Sequence, residues 1–297
     1  MSAPSAILVA TDFSEHARHA AERAALLAEE TGSVLTLVHV LPGGALDELR
    51  LWLGEGHVSE QRLHDNARER LHELAESLRS MRRIELRTVH TIGGAVDDVL
   101  IEASTLDAGL LVVGARGAGF LRHLFLGSTA ERLLRRTLRP VLVVRQAAQA
   151  RYRRVLLALD FSAWSAELAS LARGVAPSAR LVLLNAFQVP FEGRLQFAGV
   201  DVATIEQYRA EAREWARLRL EDFATRTGLA PGSWEACVVE GEAPRAILEQ
   251  AHGQHCDLIV LGKHGSSATQ DLILGSVTRQ VLAEGTTDVL VSTRQAE

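Results

Sequence analysis

The sequence predicts two tandem α/β domains, each a five-stranded parallel sheet of Rossmann-like form, with helices on both faces. Three observations carry this fold class. Short aliphatic runs alternate with helix-spaced segments along the whole chain. The pattern is written twice, since residues 7–14 (Ile-Leu-Val-Ala-Thr-Asp-Phe-Ser) read against residues 155–162 (Val-Leu-Leu-Ala-Leu-Asp-Phe-Ser), 148 positions later. A glycine signature, G-x2-G-x9-G-S, also follows the fourth aliphatic run of each half. It comprises Gly114, Gly117, Gly127 and Ser128, then Gly262, Gly265, Gly275 and Ser276. Repeats of this length are whole domains, and 297 residues suit two of them. The domains are expected at 1–146 and 151–297, with a linker around Gln146 to Tyr152.

Each element has its own signal. Residues 7–11 form an aliphatic strand, and Ser14-Glu15 opens an Ala-rich helix to about Glu30. Ala17, Ala20, Ala21, Ala24 and Leu27 recur there at three- and four-residue steps. Residues 34–41 read as a strand and 59–79 as a long amphipathic helix; 84–90 alternate with period two. Residues 96–103 return to helical spacing, 110–113 are a buried strand, 128–136 a helix, and 141–144 close the unit. In the second half, strands are expected near 154–159, 181–187, 235–239, 258–261 and 289–292, and a helix at 276–283. Near-continuous aliphatic strands separated by helices imply a parallel sheet covered on both faces, here with expected order 3-2-1-4-5. Ligands of such sheets favour the crevice beyond the carboxyl ends of the strands.

Composition excludes several classes. The chain is 47% hydrophobic and 23% charged, and no apolar run reaches membrane-span length. No secretory signal is visible, and Cys237 and Cys256 make a poor disulfide framework, so reduced cytoplasmic thiols are expected. A net charge of −5 argues against a general nucleic-acid binder, so an anionic ligand would need focused local donors.

The glycine loops supply such donors. A strand that ends in glycines and re-enters a helix through Gly-Ser offers backbone N–H groups and a helix N-terminus to a phosphate. A side chain at Gly127 or Gly275 would occupy the ligand's space, and Ser128 or Ser276 can donate its hydroxyl. Arg116 and Lys263 are candidate charge partners beside the loops. Asp12 and Asp160, ending the first strands, have two readings of equal weight. They accept from a ribose hydroxyl or approach Mg²⁺ through water, or they cap the following helix. The pairs His16/His19 and His252/His255 lack neighbours at zinc-ligand spacing. Arg132, Arg135, Arg136 and Arg139 suit a helix C-terminal region. No metal ligand and no catalytic residue is assigned.

Both halves resemble universal stress protein domains of the UspA type, and together they resemble tandem members of that family. The resemblance rests on the Thr-Asp-Phe-Ser and Leu-Asp-Phe-Ser openings, the Val-Val-Gly-Ala-Arg-Gly and Val-Leu-Gly-Lys-His-Gly loops, and Leu-Gly-Ser before the fourth helix. It implies a Rossmann-like fold, frequent dimerisation, a stress-response role and, in the motif-bearing branch, ATP binding with Mg²⁺ as an optional companion. By position it places Gly114, Arg116, Gly117, Gly127, Ser128 and Thr129 in a ribose-triphosphate loop, Thr11 and Asp12 beside the adenosine, and Val40 near adenine. The matching second-half positions are Gly262, His264, Gly265, Gly275, Ser276 and Val277, with Leu159, Asp160 and Ala186. The copies differ: Val277 has no hydroxyl where Thr129 has one, and Asp257 and Asp288 stand where the first half has Gly109 and Pro140.

Catalytic signatures are missing. There is no G-x4-G-K-[ST], no G-x-G-x-x-G after the first strand and no G-x-S-x-G. The leading expectation is a nucleotide-responsive regulator, with a slow ATPase switch and a nucleotide-free stress scaffold as alternatives. An intrachain pseudo-dimer through the last strands, a homodimer and an unidentified regulatory protein are the expected partners. The stretches 41–58 and 189–201, with Trp52, Phe191 and Phe197, are expected as a lid, a partner surface or ordinary loop packing.

Overall fold

The computed structural model describes residues 3–44, 60–117, 126–188, 200–263 and 274–293. The first half runs β1 (Ala6–Ala10), α1 (Glu15–Thr31), β2 (Val34–Pro42), α2 (Glu60–Met81), β3 (Leu86–Gly93), α3 (Ala95–Thr105), β4 (Leu110–Gly114), α4 (Ser128–Arg136) and β5 (Val141–Val144). The second runs β6 (Arg154–Ala158), α5 (Ser165–Val175), β7 (Arg180–Phe187), α6 (Val202–Arg226), β8 (Trp234–Glu240), α7 (Ala243–Gly253), β9 (Leu258–Gly262), α8 (Ser276–Glu284) and β10 (Asp288–Ser292). Trp52, Phe191 and Phe197 lie outside the described residues.

The ten strands form one sheet in the order β3-β2-β1-β4-β5-β10-β9-β6-β7-β8. Pairing is parallel within each half and antiparallel where β5 meets β10. At that seam Leu142 faces Leu290, its own counterpart, with Val143 opposite Val289 and Val141 opposite Val291. A pseudo-twofold axis therefore passes through the Leu142–Leu290 pair. One apolar layer gathers α1, α2, α5 and α6 on one face, and a second gathers α3, α4, α7 and α8 on the other. Both layers run across the seam, so the halves share a core on each side of the sheet.

Element ends depart slightly from expectation. β3 continues three residues past His90 because β2 also continues, pairing Leu41 with Ile92 and Pro42 with Gly93. α5 starts at Ser165, later than its counterpart in the first half, because Asp160 Oδ1 accepts from both the Ser162 amide (3.0 Å) and the Ser165 hydroxyl (3.3 Å).

Polar ties also cross the seam. Asp288, 2% exposed, accepts from the Arg145 amide at 2.8 Å and the Tyr152 hydroxyl at 2.7 Å, with Arg23 Nε 3.5 Å away. Burial pushes its carboxyl above the ordinary range, and these donors oppose that push. Arg23 lies over the Tyr152 ring at 4.1 Å and donates to Ala150 O at 2.7 Å, so the linker end is itself buried in the junction. Two cations cap helix C-termini reciprocally. Lys263 Nζ donates to Arg135 O of α4 at 2.7 Å, and Arg145 donates to Leu282 O of α8.

Candidate functional site

A cleft of about 380 Å³ opens at the carboxyl ends of β1 and β4, where the strand order reverses direction. Thr11, Asp12, Val40, Gly114, Arg116, Gly117, Gly127, Ser128 and Thr129 all line it. The first-half residues expected from the sequence are thus brought together from four separate segments.

Local chemistry explains the geometry. The Gly127 amide donates to Ala115 O at 2.8 Å, which pins the start of α4 against the end of β4. Gly127 is the N-cap of α4 and supplies no side-chain cap, so the first amides of that helix face the cleft without one. Its φ of −68° and ψ of 146° suit any residue. An added Cβ would stand no closer than 3.5 Å to Ala115 O and the Arg116 Cα. Among the described residues no contact requires glycine here, and the space it leaves opens on the cleft.

The other two glycines answer to the protein itself. A Cβ on Gly117 would come within 2.7 Å of Asp12 Oδ2. One on Gly114 would meet His16 O at 2.7 Å, because the first turn of α1 crosses directly over the strand end. Gly114→Ala is therefore expected to cost about 1–3 kcal/mol, the range for overpacking a filled site. Urea unfolding checks this, and an unchanged midpoint would contradict the close approach.

Asp12 lies at the cleft's edge, and its Oδ1 accepts from the Ser14 amide at 3.0 Å. The N-cap of α1 is Ser14, whose Oγ accepts from the Ala17 amide. Helix capping is thus supplied by the serine, and the aspartate braces the turn that leads into it. His16 on the same turn is pushed below the ordinary histidine range, first by burial and then by the Arg116 charge and His19.

The second half repeats the loop closure, with the Gly275 amide on Lys263 O at 2.8 Å. Gly262 ends β9, Gly275 is the N-cap of α8, and Ser276 and Val277 begin that helix. Leu159 is buried, Asp160 braces its turn as Asp12 does, and Ala186 lies on β7 opposite Val239. His264 and Gly265 lie outside the described residues.

Lys263 corrects an expectation. It is 3% exposed, with its ammonium on the Arg135 carbonyl across the seam, so it serves the junction and not a phosphate. Its first-half counterpart is the small Ala115, which has no such reach. Thr278, which carries no motif signal, stands where the first half has Ala130, and its hydroxyl donates to Gly262 O at 2.6 Å. Comparing the two copies position by position would have found both.

Of the arginines after Ser128, Arg135 pairs with Glu131 (2.7 Å), Arg136 with Asp97 (2.6 Å) and Arg139 with Asp107 (3.2 Å). Both cysteines are free. Among the described residues no cluster of three or more His, Cys, Asp or Glu could hold a metal ion, and no helix is long and apolar enough to cross a membrane.

Comparison with known proteins agrees with this architecture. Universal stress protein G of Salmonella typhimurium is 36% identical over 127 residues, which cover 42% of this chain and 87% of that protein. Universal stress protein Slr1230 of Synechocystis is 25% identical over 305 residues, covering 96% of this chain and 98% of its own. The crystal structure of a universal stress protein from Archaeoglobus fulgidus matches with a TM-score of 0.70 at 19% identity, covering 99% of this chain and 97% of that one; this speaks to the fold. The Universal stress protein family itself matches twice, over residues 5–145 and 151–293, and this chain belongs to that family.

Proposed function

We propose that the first cleft binds ATP and that the protein is a nucleotide-responsive regulator in the stress response, a role its family membership supports. One observation carries the reading: among the described residues no contact demands glycine at 127, yet it opens a helix N-terminus without a side-chain cap onto a cleft walled by Thr11, Asp12 and Val40. The α4 amides, Ser128 and Thr129 would hold phosphates, with Arg116 nearby as a counter-charge. Val40 and its apolar neighbours would take the base, and Thr11 and Asp12 the sugar side. Mg²⁺, where it accompanies the nucleotide, would be held mainly by the phosphates and water.

The domains assigned to this function are 1–146 and 151–297. The second cradle, built around Gly262, Gly275 and Ser276, is proposed as a weaker counterpart, since Leu159, Val277 and Thr278 replace groups that line the first cleft. A regulator acts by binding one arrangement more tightly than another, so the nucleotide would shift the junction or a partner surface that reads it. Mass spectrometry of freshly purified, denatured protein, followed by calorimetric ATP titration, tests the reading. Co-purified adenine nucleotide or a saturable isotherm is expected. Absence of both would remove ATP from the proposal.

A further inference from the structure

In the first half the Thr11 turn is held by a histidine backed by two more. His39 Nδ1 lies 2.8 Å from Thr11 O. A carbonyl only accepts, so Nδ1 carries the proton and the neutral ring leaves Nε2 bare. His39 and His90 face each other across β2 and β3, with ring centroids 5.5 Å apart and planes 12° from parallel. His90 Nε2 in turn lies 2.9 Å from His64 Nδ1 on α2. Phe13, held at φ 63°, places its ring 4.4 Å from that of His39, and Arg70 of α2 lies 4.4 Å from the Phe13 centroid. A left-handed phenylalanine persists only where its surroundings hold it there.

The charges around the stack are unequal. Asp12, after β1, favours a charged His39, whereas Arg70 of α2 disfavours it. The charges of His39, His64 and Arg68 disfavour a charged His90, against a hydrogen bond with the His39 backbone that favours it. Burial leads in holding both His39 and His90 below the ordinary histidine range. A histidine depressed in the folded state supports the fold above its unfolded pKa, and that support is lost as pH falls toward the folded value. Protonating Nε2 leaves the Nδ1–H bond to Thr11 intact, but it sets a cation against neighbouring imidazoles and Arg70. Repulsion shifts the charged ring away from His90, and the Thr11–Asp12 turn bonded to it shifts with it.

The second half meets the same need without titratable groups. Asn185 Nδ2 donates to Leu159 O at 2.8 Å, and Asn185 pairs across the strands with Val238. We infer that the stack of His39, His90 and His64 positions the Thr11 wall of the first cleft and makes ligand binding there fall away in acid, a sensitivity the second half lacks. This rests on the cleft being a nucleotide site.

His39→Asn transplants the second half's solution and separates the two ideas. ATP affinity is measured calorimetrically at about pH 7.5 and about pH 4.5, a window that reaches below the ordinary histidine value of about 6.5, where a depressed histidine gains its proton. Wild type is expected to weaken roughly threefold to tenfold more than His39→Asn, the range that one linked proton allows. ATP's own protonation is common to both proteins and cancels. Equal losses in the two proteins would overturn the inference while leaving the nucleotide reading intact. If no ATP binds at either pH, that reading fails, and NMR of the ligand-free protein over the same pH range decides the device. Thr11–Phe13 amides that move with the imidazoles in wild type but not in His39→Asn sustain it; amides that stay put overturn it.

Discussion

Replacing Asp288 with alanine is expected to lower stability by about 3–5 kcal/mol, the cost of removing one partner from a buried charged pair. The carboxylate is 2% exposed and gathers the Arg145 amide, the Tyr152 hydroxyl and the Arg23 guanidinium. Without it, Arg23 is a buried cation left, among the described residues, with the Tyr152 ring and Ala150 O. Asp288→Asn keeps an oxygen for the amide, and the Tyr152 hydroxyl can turn to accept, but Arg23 still loses its counter-charge, so a loss only about 1 kcal/mol smaller than alanine's is expected. Chemical unfolding of the three proteins checks the ranking. Alanine and wild type unfolding together would mean that the junction is held by apolar contacts alone.

The second large effect concerns binding. Gly127→Asp is expected to weaken ATP binding by on the order of 100-fold, since like charges juxtaposed at an interface cost several kcal/mol. The same substitution should leave the fold untouched. Gly127 is the N-cap of α4 with backbone angles open to any residue, and aspartate is a preferred N-cap that complements the helix dipole. Most binding-site substitutions confound affinity with stability, whereas this one pushes them apart. Titration in a Gly275→Asp background reads the first cleft by itself. Wild-type affinity there, in a protein of unchanged unfolding midpoint, would put the ligand elsewhere.

Much of this architecture was legible because local and global signals agree. The runs 141–144 and 128–136 became β5 and α4 without change, since the aliphatic run is buried on both faces and the helix is bounded by Gly127 and Thr137. The first cleft was legible because its glycines and Asp12 sit at element ends, where the sequence marks them. Two kinds of feature were not. Side-chain reach across the seam depends on which strands meet, so Lys263 looks like a phosphate partner until β5 and β10 are joined. The His39–His90 stack depends on register between neighbouring parallel strands, which no linear spacing encodes. The small liners Ala10, Ala17 and Ala95 carried no signal distinct from ordinary helix and strand packing.

The antiparallel seam has a consequence for how the halves diverge. Two identical chains meeting through the same strand would present each junction residue twice, so a buried aspartate at this position would recur on both sides of the axis, each copy needing its own buried cation. Here the equivalents are Asp288 and Pro140, and a single carboxylate is matched by a single Arg23. Fusion also makes the encounter intramolecular, so the seam does not come apart on dilution as a separate pair would. Freed from self-complementarity and from mass action, one half can change its cradle while the other holds the assembly together.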